Sequence, residues 1–188
     1  IFHTFNPSEQ TIIYDDRSVT VENNSIAPPS AYFGFIFREK PTQNHIKRDM
    51  IDFYHIPVCM INEIKNGEDY VTEEGTVIPN ERLTTPSDPH ALMPTADTAY
   101  LPRITEQIKG IDLLFHEATF AKTEVARAKQ TMHSTAEQAA TIARDAQVKR
   151  LIIGHFSARY EDEAHLLQEA QSIFPETILA QENMNITL

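Results

Sequence analysis

Four short stretches carry residue types that hydrolytic chemistry uses: ALMPTADTA at 91–99, HEATF at 116–120, HSTA at 133–136 and HFSARY at 155–160. His133 and His155 offer imidazoles, which titrate near pH ~6.5 and therefore transfer protons or bind metals at neutral pH. Asp97 offers a hard carboxylate whose two oxygens can span two cations. Arg159 offers a planar guanidinium that binds phosphate oxygens bidentately. Each also has a plainer reading. Asp97 could be a helix N-cap, His133 a helix-capping histidine, and Arg159 a surface partner of Glu161 or Asp162.

The elements between these stretches would position them. Leu113–Phe115 and Leu151–Ile153 are short apolar runs of the kind that buried parallel strands show, and Ala136, Ala139, Ala140, Ala143 and Ala146 recur between them at helical spacing. A strand, helix, strand unit follows, and its right-handed crossover lets His116, Glu117 and His155 converge at one sheet edge. Ser134 and Glu137 form a capping-box pattern, which puts His133 just before the first helical turn. Asp97 follows an apolar stretch and precedes the helix-like LPRITEQIKG at 101–110.

HEATF, HSTA and HFSARY, in this order and at this spacing, resemble the C-terminal half of ribonuclease Z, the tRNA 3′-end endonuclease of the metallo-β-lactamase superfamily. The resemblance implies an α/β fold, the αββα sandwich of that superfamily, of which this chain carries the second half. It implies a zinc-dependent endoribonuclease that removes the 3′ trailer of tRNA precursors, with two zinc ions per complete site. By the same resemblance Asp97 and His155 are metal ligands, His133 protonates the leaving ribose oxygen, and Glu117 orients the His133 ring. Ser157 and Arg159 then contact phosphate, His116 acts only from behind the ligands, and the protein is a homodimer; a cytoplasmic location is instead the default that its composition leaves.

Two departures qualify that picture. The family's His-x-His-x-Asp-His motif, which supplies most zinc ligands, is not in the sequence, and Pro28 or Pro29 stands where another ligand histidine is expected. Asp97 and His155 alone do not complete a catalytic zinc site, which takes about three protein ligands and an open position. The isolated chain is therefore expected to be inactive. The alternatives are another hydrolase of the superfamily acting on a small phosphodiester, or a non-catalytic scaffold.

The remaining sequence sets outer bounds. One domain is expected over all 188 residues, with hairpin strands at 11–14 and 18–21 and a polar insertion over 41–90. Within the insertion a helix over 46–54 and strands near 69–72 and 76–78 are expected, and in the family this region is an arm that grips tRNA. A lone cysteine, Cys59, excludes an internal disulfide and fits a reducing compartment, and no apolar run reaches the ~20 residues a membrane helix needs. Sixteen basic against 27 acidic residues give a net charge of −11, which argues against a nucleic-acid binder unless bases gather locally, as Arg38, Lys40, Lys47 and Arg48 do in sequence.

Overall fold

A computed structural model describes residues 9–24 and 34–188, so Pro28 and Pro29 lie outside the described residues. Along the chain come strands β1 (Ile12–Asp15), β2 (Val19–Asn24) and β3 (Gly34–Glu39). Next are β4 (His45–Ile46), helices α1 (Arg48–Phe53) and α2 (Ile61–Lys65), β5 (Tyr70–Val71), β6 (Val77–Ile78), α3 (Asn80–Leu83) and β7 (Thr84–Thr85). The last third carries β8 (Ala91–Pro94), β9 (Leu113–Glu117), α4 (Val125–Thr131), α5 (Ala136–Asp145), β10 (Arg150–Gly154), α6 (Ala164–Gln171) and β11 (Thr177–Leu179).

The chain divides into two compact units, one comprising 1–39 and 90–188, the other 40–89. In the first, a seven-stranded mixed sheet runs in the order β1-β2-β3-β8-β9-β10-β11. Its first four strands pair antiparallel, whereas β8, β9, β10 and β11 are parallel neighbours. The parallel strands are the apolar ones: Leu114, Leu151 and Ile153 are fully buried, as a strand covered on its faces requires. The alanines of α5 explain how it lies so close to them. Ala136, Ala139, Ala140 and Ala143 expose nothing, and their small side chains let α5 pack tightly against β10 and α6.

Local chemistry shifts two expected elements. The capping box of α5 is built by Thr135 and Gln138 rather than Ser134 and Glu137, because the Ser134 hydroxyl is already donated to the Thr98 carbonyl at 2.7 Å. LPRITEQIKG makes only a 3-10 turn at Pro102–Ile104 followed by turns. There the Thr105 hydroxyl donates to the Pro102 carbonyl at 2.8 Å, a side-chain competitor for the backbone acceptor that a continuing helix would use.

The second unit has its own small core of Ile56, Ile64, Tyr70, Ile78 and Leu83. Its helix begins at Arg48 rather than residue 46, because His45 and Ile46 pair with Thr85 and Thr84. No helix among the described residues is long and apolar enough to cross a membrane. The basic residues near position 40 are partly engaged: Arg38 pairs with Glu22 at 3.5 Å, and Lys47 donates to the Glu81 and Arg82 carbonyls.

Candidate metal and proton-transfer site

Three parallel strands end together, and the residues that follow them meet. Asp97 lies in the loop after β8, Glu117 ends β9, and His155 comes directly after β10, whose Gly154 is paired with Glu117. Gly154 permits a close approach here, since a Cβ would lie 3.0 Å from the Phe115 ring and 3.1 Å from Ala180. His155 then turns out of the strand in the left-handed region, with φ of 59°, a conformation uncommon for a non-glycine residue. His133 reaches the same place from the loop that enters α5.

Glu117 organises the site from beneath. Its carboxylate is 1% exposed, and a buried charge of this kind is tolerated only when its oxygens are satisfied. Oε1 accepts the backbone N–H groups of Thr98 and Ser134, both at 3.0 Å. Oε2 accepts the Thr119 N–H at 3.0 Å and the Thr119 hydroxyl at 2.7 Å. His133 Nδ1 lies 2.9 Å from Oε1, so Nδ1 carries hydrogen and the ring's free nitrogen is Nε2. One carboxylate thus ties the Asp97 loop, the end of β9 and the start of α5 into a single frame.

Asp97 and His155 form the outer, solvent-facing pair. His155 Nε2 and Asp97 Oδ1 are 3.2 Å apart, with both side chains about half exposed. Two lone pairs that face each other at this distance repel, so a proton or a cation belongs between them. The separation also matches the roughly 3.3 Å between two ligands of a tetrahedral zinc with bonds of about 2.0 Å, so the donor set fits the ion that the resemblance implies. His133 completes a cluster in which one ligand atom from each of Asp97, His133 and His155 lies within 4.8 Å of the others. The rings of His133 and His155 stack at 5.3 Å.

Beside this cluster, Arg159 Nε donates to Ser157 Oγ at 3.0 Å, and its guanidinium lies over the Phe120 ring at 5.2 Å. Its ionic partner is Glu124, not Glu161 or Asp162. The Tyr160 hydroxyl, and after it Arg159, hold the Glu124 carboxyl below the usual carboxylate range. Burial, then Glu124, pushes the Tyr160 hydroxyl up.

His116 does not join the cluster. It is fully buried, its Nδ1 donates to the Glu117 carbonyl at 2.6 Å, and its Nε2 has no hydrogen-bond partner among the described residues. Burial holds its pKa below the ordinary histidine value, against the opposing pull of the Glu117 carbonyl and carboxylate. Sequence reasoning missed Thr98, Thr119 and Ser134, which touch Glu117 directly. Thr119 lies within the HEATF stretch, so the motif itself was the available signal.

Known proteins resemble the chain in sequence and in fold. Ribonuclease Z of Bacteroides thetaiotaomicron is 61% identical over the whole chain, which spans 60% of that protein. Ribonuclease Z of Parabacteroides distasonis is 50% identical, again over the whole chain and 62% of its own length. The chain thus spans about three-fifths of the length of the curated relatives it matches. Among solved structures, human tRNase Z, short form, matches 96% of the chain and 47% of its own at 20% identity and a TM-score of 0.55. The metallo-β-lactamase fold protein YhfI of Bacillus subtilis matches 96% and 53% at 15% identity and a TM-score of 0.57. No protein-family model matches the chain.

Proposed function

We propose, for a chain homologous to ribonuclease Z along its whole length and of the metallo-β-lactamase type of fold, that it is part of a metal-dependent endoribonuclease that removes the 3′ trailer of tRNA precursors. The observation that carries this reading is the adjacency of two pairs at one sheet edge, Asp97 with His155 at 3.2 Å and Glu117 with His133 at 2.9 Å. The first pair has the donors for a cation and the second has the donors for a proton.

Asp97 and His155 Nε2 would hold metal, zinc by the chemistry of the donor set, and a two-ion site would draw its other ligands from outside these 188 residues. Zinc held there would supply a water acidified enough to act as nucleophile at neutral pH. His133, with Nδ1–H fixed on the ionised Glu117, presents Nε2–H to the leaving ribose oxygen and gives up that proton as the phosphodiester breaks. Glu117 stabilises the imidazolium before transfer and keeps the ring oriented afterwards. Arg159 and Ser157, aligned by their mutual hydrogen bond, bind phosphate oxygens of the substrate, for which Arg159 exchanges its contact with Glu124. The 188 residues alone do not cleave RNA, and the complete protein works in the cytoplasm as a homodimer.

The net charge of −11 favours a second reading, hydrolysis of a small phosphodiester in the same site. Incubating the complete protein with a tRNA precursor and with a small diester separates the two. Cleavage of the precursor at the end of the acceptor stem, lost on chelation, supports the first. Turnover of the small diester alone sinks it.

A further inference from the structure

We propose that Arg127 is a second guanidinium for the substrate's phosphate, and that the Glu124 carboxylate holds the place of that phosphate between Arg127 and Arg159. This deepens the reading above and rests on it only for the RNA that carries the phosphate. Both guanidinium groups gather on one ring, since the Cζ atoms of Arg159 and Arg127 lie 5.2 Å and 6.0 Å from the centre of Phe120. The His133 ring packs on the same phenylalanine in a T-shaped arrangement, with centres 6.1 Å apart.

Phe120 is a fixed platform. It is 4% exposed, its N–H donates to the Ser134 carbonyl at 3.3 Å, and its carbonyl accepts the Ala136 N–H at 3.0 Å. Backbone bonds thus tie it to the segment that follows His133. Arg127 reaches the ring from α4, and that helix is tied to the same histidine, whose N–H donates to the Ala128 carbonyl at 2.8 Å. An anion seated by the two arginines would therefore lie beside the imidazole.

Glu124 fills that position. One carboxylate oxygen pairs with Arg159 and the other accepts the Tyr160 hydroxyl. Glu124 and Arg127 stand three residues apart at the start of α4, which puts them on one face of the helix. The Tyr160 hydroxyl first, then Arg159 and Arg127, hold the Glu124 carboxyl below the usual carboxylate range against the opposing effect of burial. A carboxylate and a phosphate offer a guanidinium the same pair of oxygens, so one can stand in for the other. When phosphate takes Arg159, Tyr160 keeps the displaced carboxylate hydrogen-bonded, and the Tyr160 oxygen is itself anchored by the Ala121 N–H at 2.9 Å. Charge favours the exchange locally. In the stretch 120–131 Lys122, Arg127 and Lys129 outnumber the single acid Glu124, although the whole chain carries −11.

The test measures binding of a tRNA precursor to the complete protein in chelator at several salt concentrations, and KM and kcat for its cleavage with zinc. Arg127→Gln should weaken binding by about 10-fold and flatten the plot of log affinity against log salt by about 1, with the loss in KM rather than kcat. Arg127→Lys should restore the slope, and Glu124→Gln should tighten binding several-fold. Arg127→Gln binding like wild type, a loss confined to kcat, or a Glu124→Gln that does not tighten binding overturns the proposal. If wild type binds no precursor, the same variants are read by KM for a small phosphodiester. The same opposite changes there keep the phosphate site and sink the tRNA reading, and unchanged KM values sink the phosphate site.

Discussion

The two ends of strand β9 hold the same kind of group and use it differently. At the start, Asp112 accepts the Ala91 N–H at 2.6 Å and pairs with Lys149 at 2.6 Å. At the finish, Glu117 accepts three backbone N–H groups and pairs with His133. A lysine keeps its charge throughout the physiological range, so the Asp112 pair is a fixed staple between strands. An imidazole has a second ring nitrogen, so the Glu117 pair leaves His133 Nε2 available to another group. The lesson is that burial and hydrogen bonding of a carboxylate do not mark a site; a partner with a further polar atom to offer does.

Replacing the partners should widen this contrast first in rate. In the complete protein, His133→Ala should slow single-turnover cleavage by about 10² to 10⁴, the usual contribution of general acid catalysis. Lys149→Met, at the other end of the strand, should leave that rate unchanged.

Stability should separate the carboxylates themselves. Glu117→Ala leaves the N–H groups of Thr98, Thr119 and Ser134 buried without their acceptor, at about 1–3 kcal/mol each, so a loss of about 3 kcal/mol or more is expected in urea unfolding. Asp112→Ala forfeits one N–H acceptor and a pair whose lysine is 65% exposed, and should cost only about 1 kcal/mol. Equal losses at both ends would show that Glu117 has no special place in the frame.

The smallest effect is a slope against pH. His116, one residue before Glu117, has a pKa held below the ordinary ~6.5 by burial. The unfolded chain then binds the proton first, so this contribution to stability is complete above about pH 6.5 and lost as the pH falls toward the folded value. Asp112 behaves in the same direction but lower. Burial raises its pKa, yet Lys149 and the Ala91 N–H outweigh that and hold it below the carboxylate range, so its contribution fades only below about pH 4. Unfolding curves at pH 7, 5.5 and 3.5 should show the first step vanish in His116→Gln and the second in Asp112→Asn.

Much of this was legible because parallel strands and alanine-rich helices announce themselves. Leu113–Phe115, the α5 alanines and Leu151–Ile153 gave the crossover, and the crossover brings Asp97, Glu117, His133 and His155 to one edge. What escaped were contacts decided by competition for a single proton or acceptor. Ser134 reads as a cap until the Thr98 carbonyl claims its hydroxyl, and the helix-like LPRITEQIKG stops where the Thr105 hydroxyl competes for the Pro102 carbonyl. Thr119 carries no periodicity or charge at all, and only its place between a carboxylate and two imidazoles gives it meaning. Beside its reading as a phosphate contact, Arg159 had Glu161 or Asp162 as the alternative partners near it in sequence, but Glu124 comes to it from across the fold.

The division of labour between the metal pair and the proton pair is tested most directly by metal analysis of two variants of the complete protein after exhaustive dialysis. Asp97→Ala should lose zinc together with activity, because the proposed reading makes Asp97 a metal ligand, while His133→Ala should keep zinc at nearly the wild-type stoichiometry. Zinc stripped by His133→Ala, or retained in full by Asp97→Ala, would contradict the account.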